Sequence, residues 1–307
     1  MAHPLDAEGL TLRSPEAGVP ASVAGAEARA GFLRWWRRLA RNKGAVFGLG
    51  VFLAMVAMAL FANVIAPYDP LAQNVGPSLQ GPSFTHWAGT DSFGRDILSR
   101  IIHGARIALS VGIVAVLLAL VVGVTLGLIA GYYGGVVDAL IMRVMDGLFA
   151  FPIIILAIAM MAIMGFGVRN VIIAVAVGFV APFARVTRGD VLAVKEEPYI
   201  EAARLAGVSN LAIIFRHVLP NVLAPIIVQG ALRVSGAIIT EAGLSFLGLG
   251  PPPPTPVWGS MIAEGRNFIV MAPHISTIPG IALMLTVVGL NLFGDGLRDT
   301  LDPRLRH

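Results

Sequence analysis

The chain has 307 residues, 56% of them hydrophobic and 13% charged, with a mean hydropathy of +0.81. So little polar surface cannot cover a water-soluble globule, and the composition places the chain in a membrane. Cysteine is absent, which excludes a disulfide framework and thiolate metal sites, and the formal charge of +4 fits basic cytoplasmic loops better than a nucleic-acid surface.

Residues 1–44 read as a cytoplasmic N-terminal tail. Its first part, 1–31, is rich in Ala, Gly, Glu and Pro without periodicity and is expected to be disordered. A basic and aromatic collar follows, formed by Arg34, Trp35, Trp36, Arg37, Arg38, Arg41 and Lys43, of the kind found at the headgroup level. Residues 45–68 are uncharged and long enough to cross a core of about 30 Å at about 1.5 Å per residue, so they are assigned as a retained first span.

Residues 69–103 are then extracytoplasmic. They contain H-W-A-G-T-D-S-F-G-R-D-I-L-S-R at 86–100, where Thr90 or Asp91 is expected to cap a helix with Ile97, Leu98, Ile101 and Ile102 on one side. A structural cap over the bundle is the reading adopted, with substrate guidance or reception of a binding protein as its rival.

Five further spans are expected within 104–296. Residues 107–137 are uncharged, with Gly131 to Gly135 forming an inner turn, and a third span from Leu140 to Gly165 should bend at Pro152 and pair Arg143 with Asp146. The fourth, from Val171 to Arg188, is expected to be interrupted by Pro182. The fifth begins at Asn221 and carries Arg233 and Glu241 in otherwise apolar sequence, roughly 80° apart around the helix. Ionisable groups at that depth face a bundle interior or a wet cavity. Arg233 and Glu241 are therefore candidates for a translocation path, where the arginine would meet a carboxylate, with subunit packing as the alternative and Glu241 the more structural of the two. The proline-rich stretch from Pro251 to Trp258 reads as an outer loop before a sixth span at 275–294, and 297–307 as a cytoplasmic C-terminal tail.

Basic residues gather on one side, in the collar, at Arg143, between Arg185 and Arg216, and in the tail; Arg95, Arg100, Arg106, Arg169 and Arg266 fall on the other. That bias favours six spans with both termini cytoplasmic.

Nothing in the chain argues for bond-breaking chemistry. The lysines are Lys43 and Lys195, neither preceded by glycine, so no phosphate-cradling P-loop is present, and the histidines show no metal-ligand spacing. No Gly-x-Ser-x-Gly elbow occurs either. No catalytic residue, metal or cofactor is expected, and any nucleotide hydrolysis falls to a partner.

The hydrophilic stretch from Glu197 to Asn221, which fills most of a loop at 190–220 and runs one residue past it, is where the chain departs from membrane-span character. Pro198 suits a first helical turn, with Glu197 and Glu201 at the positive end of the helix dipole. The helix should stop near Gly207. Ser209 or Asn210 can cap a second helix toward Val218, which Pro220 should end, leaving Asn221 to cap the next span. Ala202, Ala203 and Gly207 leave one surface nearly bare, so another protein's backbone can approach.

Glu201, Ala202, Ala203, Gly207, Leu219 and Pro220 match in type and spacing the EAA loop of ABC importer membrane subunits, which this stretch resembles; His217 stands where that pattern has an aliphatic residue. The wording R-H-V-L-P-N at 216–221, G-T-D-x-x-G-R-D at 89–96 and L-R-D-T-L-D-P-R at 297–304 is similar to the dipeptide and oligopeptide permease branch, second-permease type.

The resemblance implies an all-α membrane protein of six transmembrane helices, with the type I importer permease fold and a cytoplasmic coupling helix, in a bacterial plasma membrane. It implies that Glu201, Ala202, Ala203, Arg204, Gly207, Arg216, His217, Leu219 and Pro220 form the surface gripped by an ATPase. The implied partners are a second homologous permease in a heterodimer, two cytoplasmic ABC ATPase subunits and an extracytoplasmic substrate-binding protein, with peptide as substrate, lipid around the spans and no nucleic acid. Relatives in the branch carry dipeptides, oligopeptides, glutathione or nickel complexes. An ion-coupled secondary transporter is the rival from another class, and it would require carboxylate sites and broken helices in both halves.

Overall fold

The computed structural model describes residues 39–301; most of the collar, Arg304 and Arg306 lie outside the described residues. The chain runs through α1 (Lys43–Ile65), α2 (Ile97–Tyr133), α3 (Gly135–Phe149), α4 (Ile153–Met164), α5 (Val168–Val194), α6 (Pro198–Leu205) and α7 (Asn210–Ile213). A π-helical turn (Ile214–Val218) leads into α8 (Leu219–Phe246), followed by α9 (Trp258–Arg266) and α10 (His274–Leu301). Among the described residues there is no β-strand, only an isolated bridge between Thr90 and Asp96.

Five helical runs are long and apolar enough to cross a membrane, and α3 with α4, bent by 89° at Ala150 to Pro152, makes up to six. The elbow falls where Pro152 was expected to bend the third span. The first span is Lys43–Ile65 rather than 45–68, because Asn42 caps it by accepting from the Ala45 amide.

Packing is organised around α2. One face of it lies along α5, where Gly123, Gly127 and Gly131 bring the helices together: a methyl at these positions would sit 2.6 Å from the Val180 carbonyl oxygen, 2.5 Å from that of Ala184 and 2.8 Å from Val191 Cβ. Small residues at this four-residue spacing let membrane helices meet backbone to backbone. Pro182 does not interrupt α5 as the sequence suggests. It forfeits the bond to the Gly178 carbonyl, yet Gly178 to Ala184 is entirely buried, and that packing outweighs a cost of about 3 kcal/mol. On its other side α2 meets α8, while α1 lies against α10 and both share a core with α2 and α9.

Residues 66–96 fold over the end of the bundle opposite α6, and the G-T-D-x-x-G-R-D wording is accounted for residue by residue. Gly89, at φ +78°, turns the backbone tightly against His274. The Thr90 hydroxyl donates to the Pro77 carbonyl and accepts from the Gln80 amide. Asp91 accepts from the Phe93 and Arg95 amides and pairs with the Arg95 guanidinium at 2.6 Å. Arg95 reaches Glu264 of α9 at 3.1 Å, and Arg100 stands within 4 Å of both acids. The helix cap is Asp96, which accepts from the Ser99 amide and hydroxyl, instead of Thr90 or Asp91. The second acid of the motif is nearer the helix, and Asp91 is spent on its own turn. At α1, Arg106 donates to the Ala59 and Leu60 carbonyls beside the non-helical Phe61, satisfying backbone that the kink opens.

Candidate functional site

Glu197 caps α6 with extended backbone, Pro198 occupies its first turn, and the helix ends in a Schellman motif. The Gly207 amide bonds to the Arg204 carbonyl at 3.0 Å and the Val208 amide to that of Ala203 at 3.1 Å. Gly207 holds φ +77°, a left-handed conformation that costs a side-chain-bearing residue about 1–2 kcal/mol. Ser209 then caps α7, its hydroxyl accepting from the Ala212 amide.

Pro220 does not end the second helix. The chain passes through the π-turn and continues, so that α7, the turn and α8 form one run from Asn210 to Phe246. The proline sits in the first turn of α8, where a missing N–H is tolerated, and Asn221 donates its side-chain amide to the His217 carbonyl instead of capping a new helix.

The α6–α7 knob is seated by an apolar cluster. Ile200, Ile213, Ile214 and Val218 are buried against Val124, Leu128 and Tyr132 of α2 and Val191 of α5, each such side chain contributing about 1.5–3 kcal/mol. The Tyr132 hydroxyl bonds to the Asn210 side-chain oxygen at 2.9 Å, and the Arg204 guanidinium lies 5.3 Å from the Tyr132 ring centre. Sequence reasoning missed Tyr132 and Ile200. An apolar residue every few positions in a polar stretch was the available signal.

The opposite side of the knob is open. Glu201, Ala202, Arg204, Gly207, Arg216 and Pro220 are exposed, whereas Ala203, His217 and Leu219 are half-buried. The matched residues therefore divide, with Leu219 and Ala203 helping to seat the knob and the others facing outward. Between them Leu205, Leu211 and Phe215 stand 84%, 64% and 61% exposed, an apolar triad carried on a polar element.

Arg233 and Glu241 are not brought together. Glu241 is 1% exposed and accepts from the Ser245 hydroxyl at 2.6 Å. Arg233 is half-buried on a cavity of about 370 Å³ walled by the elbow from Leu148 to Ile153, Gly178 and Pro182. With the Gln229 amide oriented to satisfy its neighbours, its oxygen accepts from Arg233 at 2.9 and 3.1 Å, and the guanidinium lies 5.7 Å from the Phe179 ring centre. The expected Arg143–Asp146 pair is not formed. Asp146 takes Arg185 at 2.6 Å, and Asp138 receives Arg188 through two bonds, so α3 is tied to α5.

Residues 123–307 match the family of the binding-protein-dependent transport system inner membrane component, which is more than half of the chain. The chain belongs to this family. Residues 32–82 of the permease also match the N-terminal transmembrane domain of oligopeptide transport permease C. The permease is 49% identical over 276 residues to the glutathione transport system permease protein GsiD of Pectobacterium atrosepticum, covering 89% of this chain and 91% of the relative. It is 47% identical over 271 residues to the dipeptide transport system permease protein DppC of Alkalihalophilus pseudofirmus, covering 88% and 89%. Its fold is similar to that of a chain in the inward-facing MetNI methionine ABC transporter, with a TM-score of 0.54 at 18% identity, over 67% of this chain and 98% of that one. The permease is thus a multi-pass membrane subunit of an ABC importer of the dipeptide and oligopeptide type, working with ATPase and substrate-binding partners; ATP hydrolysis resides in the ATPase.

Proposed function

We propose that this permease is one half of a heterodimeric pore, paired with a second homologous permease in a bacterial inner membrane, and that it carries short peptides, including dipeptides, oligopeptides or glutathione. The named relatives at 47–49% identity support that substrate class. Both termini and the knob lie in the cytoplasm, in keeping with the distribution of basic residues. Two ATPase subunits sit on the inner side and the substrate-binding protein on the outer.

The observation that carries the mechanism is the two-sided knob, exposed on one side and seated by buried isoleucines on the other. A push on Glu201 to Gly207, Leu211 and Phe215 reaches the inner ends of α2 and α5 together, because those helices are zipped by three glycines. The lever is therefore the α2–α5 pair with α8 attached, one helix more than the two spans flanking the loop. Arg233, on the cavity beside the elbow, is placed to meet a peptide carboxylate; Glu241 serves packing.

Glu201→Arg and Gly207→Leu are expected to insert normally yet lose the co-purifying ATPase and ATP-driven uptake; retained ATPase with full uptake refutes the coupling assignment. Because the chain has no cysteine, a single Ala202→Cys at the exposed neighbour of Ala203 reports sidedness cleanly, with labelling expected from the cytoplasmic side. Arg233→Leu is expected to reduce uptake with assembly intact, and unchanged uptake would remove Arg233 from the path.

A further inference from the structure

The end of the bundle opposite the knob carries an apolar surface that the importer reading leaves unexplained. On the segment after α1, Phe84 is fully exposed and Trp87 is 74% exposed. On the loop between α9 and α10, Val270 is 92% and Met271 78% exposed. The two loops meet where the His274 ring packs on Gly89, its Nε2 standing 3.3 Å from the Thr90 carbonyl oxygen, and Ala88, Ala272 and Ile275 share one buried cluster there.

The aromatic pair is held rigidly. The Trp87 indole N–H donates to the Phe84 carbonyl at 3.2 Å, and between them the Tyr68 hydroxyl donates to the Thr85 carbonyl at 3.0 Å. His86 is buried, bonded to Asp96 and tilted against the Tyr68 ring with centroids 4.8 Å apart. Tyr68 follows the last residue of α1, Ile65, by one short turn of chain, so Phe84 and Trp87 are fixed at the level where the first span leaves the membrane. The other loop ends at His274, the first residue of α10, and is fixed at the same level.

We propose that Phe84, Trp87, Val270 and Met271 form an interfacial anchor that inserts into the lipid leaflet at this end of the bundle, at the headgroup and upper acyl level. Two observations select lipid over a protein partner. The last turns of α1 expose Leu60, Phe61 and Val64 just below, so the patch continues the exposed apolar flank of a helix long and apolar enough to cross a membrane. And residues 70–89 and 267–273 contain no Asp, Glu, Lys or Arg, so the patch itself has no charge to desolvate on entering lipid, while Asp69 and Arg266 border it where headgroups would lie. An indole whose N–H is already bonded to the backbone, beside a phenyl ring, suits the boundary between headgroups and acyl chains. The anchor holds α1 and α10 at fixed depth while the lever moves. It does not depend on which face of the membrane that end occupies, nor on the substrate.

The test uses the assembled importer in vesicles of phosphatidylethanolamine and phosphatidylglycerol, comparing wild type with Trp87→Phe so that the difference spectrum reports Trp87. Lipids brominated near the headgroup are expected to remove most of that signal, lipids brominated near the chain end much less, and aqueous iodide little. A Met271→Trp reporter should show the same shallow profile from the other loop. Insensitivity of Trp87 to brominated lipid overturns the proposal, whether iodide quenches it, which makes the loop water-exposed, or both fail, which makes it covered by protein. Failure of the Met271→Trp reporter alone overturns the joint patch. Uptake is measured on the same vesicles, so loss of transport is read separately from loss of anchoring.

Discussion

The two ends of the bundle solve opposite problems. Over the end that carries residues 66–96, Asp91, Arg95, Asp96 and Arg100 are each 3% exposed or less, and their charges are matched within the chain and with Glu264. At the knob the polar residues face solvent and the apolar triad of Leu205, Leu211 and Phe215 is left uncovered. One end pairs its buried charges within the chain and leaves apolar loop tips uncovered, whereas the other leaves polar and apolar groups open side by side.

That contrast is open to attack from the charge-paired end first. Asp91→Ala leaves two buried guanidinium groups with only the more exposed Glu264 to share, so a loss of about 3–5 kcal/mol is expected, read as a fall in thermal midpoint and in yield. A mild effect would mean that Glu264 and water already serve these arginines. Between the ends, Gly127→Leu forces a side chain into the Ala184 carbonyl and should cost about 3 kcal/mol, with uptake falling further than stability because the lever loses its rigid contact. At the knob, Tyr132→Phe removes the hydroxyl bond to Asn210 and keeps the ring under Arg204; a loss of about 1 kcal/mol is expected, with ATPase stimulation by substrate blunted but not lost. The smallest effect belongs to Asp138→Asn. Its partner Arg188 keeps partial solvation, so stability should change by about 1 kcal/mol or less, and any larger change in transport would mark the α3–α5 tie as functional.

The spans were readable because hydrophobicity over some twenty residues is a local property, and so was the first half of the knob, where Pro198, Glu201 and Gly207 act on their own turn. What escaped was non-local. Pro220 and Pro182 were read as breaks by propensity, and each is carried through by its surroundings. Asp146 was paired with its helical neighbour Arg143, but Arg185 of another helix takes it. The capping role fell to Asp96 because Asp91 was committed to Arg95. The α2–α5 zipper escaped as well: Gly131 was assigned to an inner turn with Gly135, whereas it lies inside α2 and packs with Gly123 and Gly127 on α5.

The unbroken run from Asn210 to Phe246 spans 37 residues, roughly 55 Å at about 1.5 Å per residue. A stiff shaft of that length converts a small twist at its foot into a swing along its whole height. Phe215 near the foot and Arg233 part-way up ride on one backbone, so any rotation imposed at the foot is carried to the guanidinium on the cavity without a relay of side chains between them.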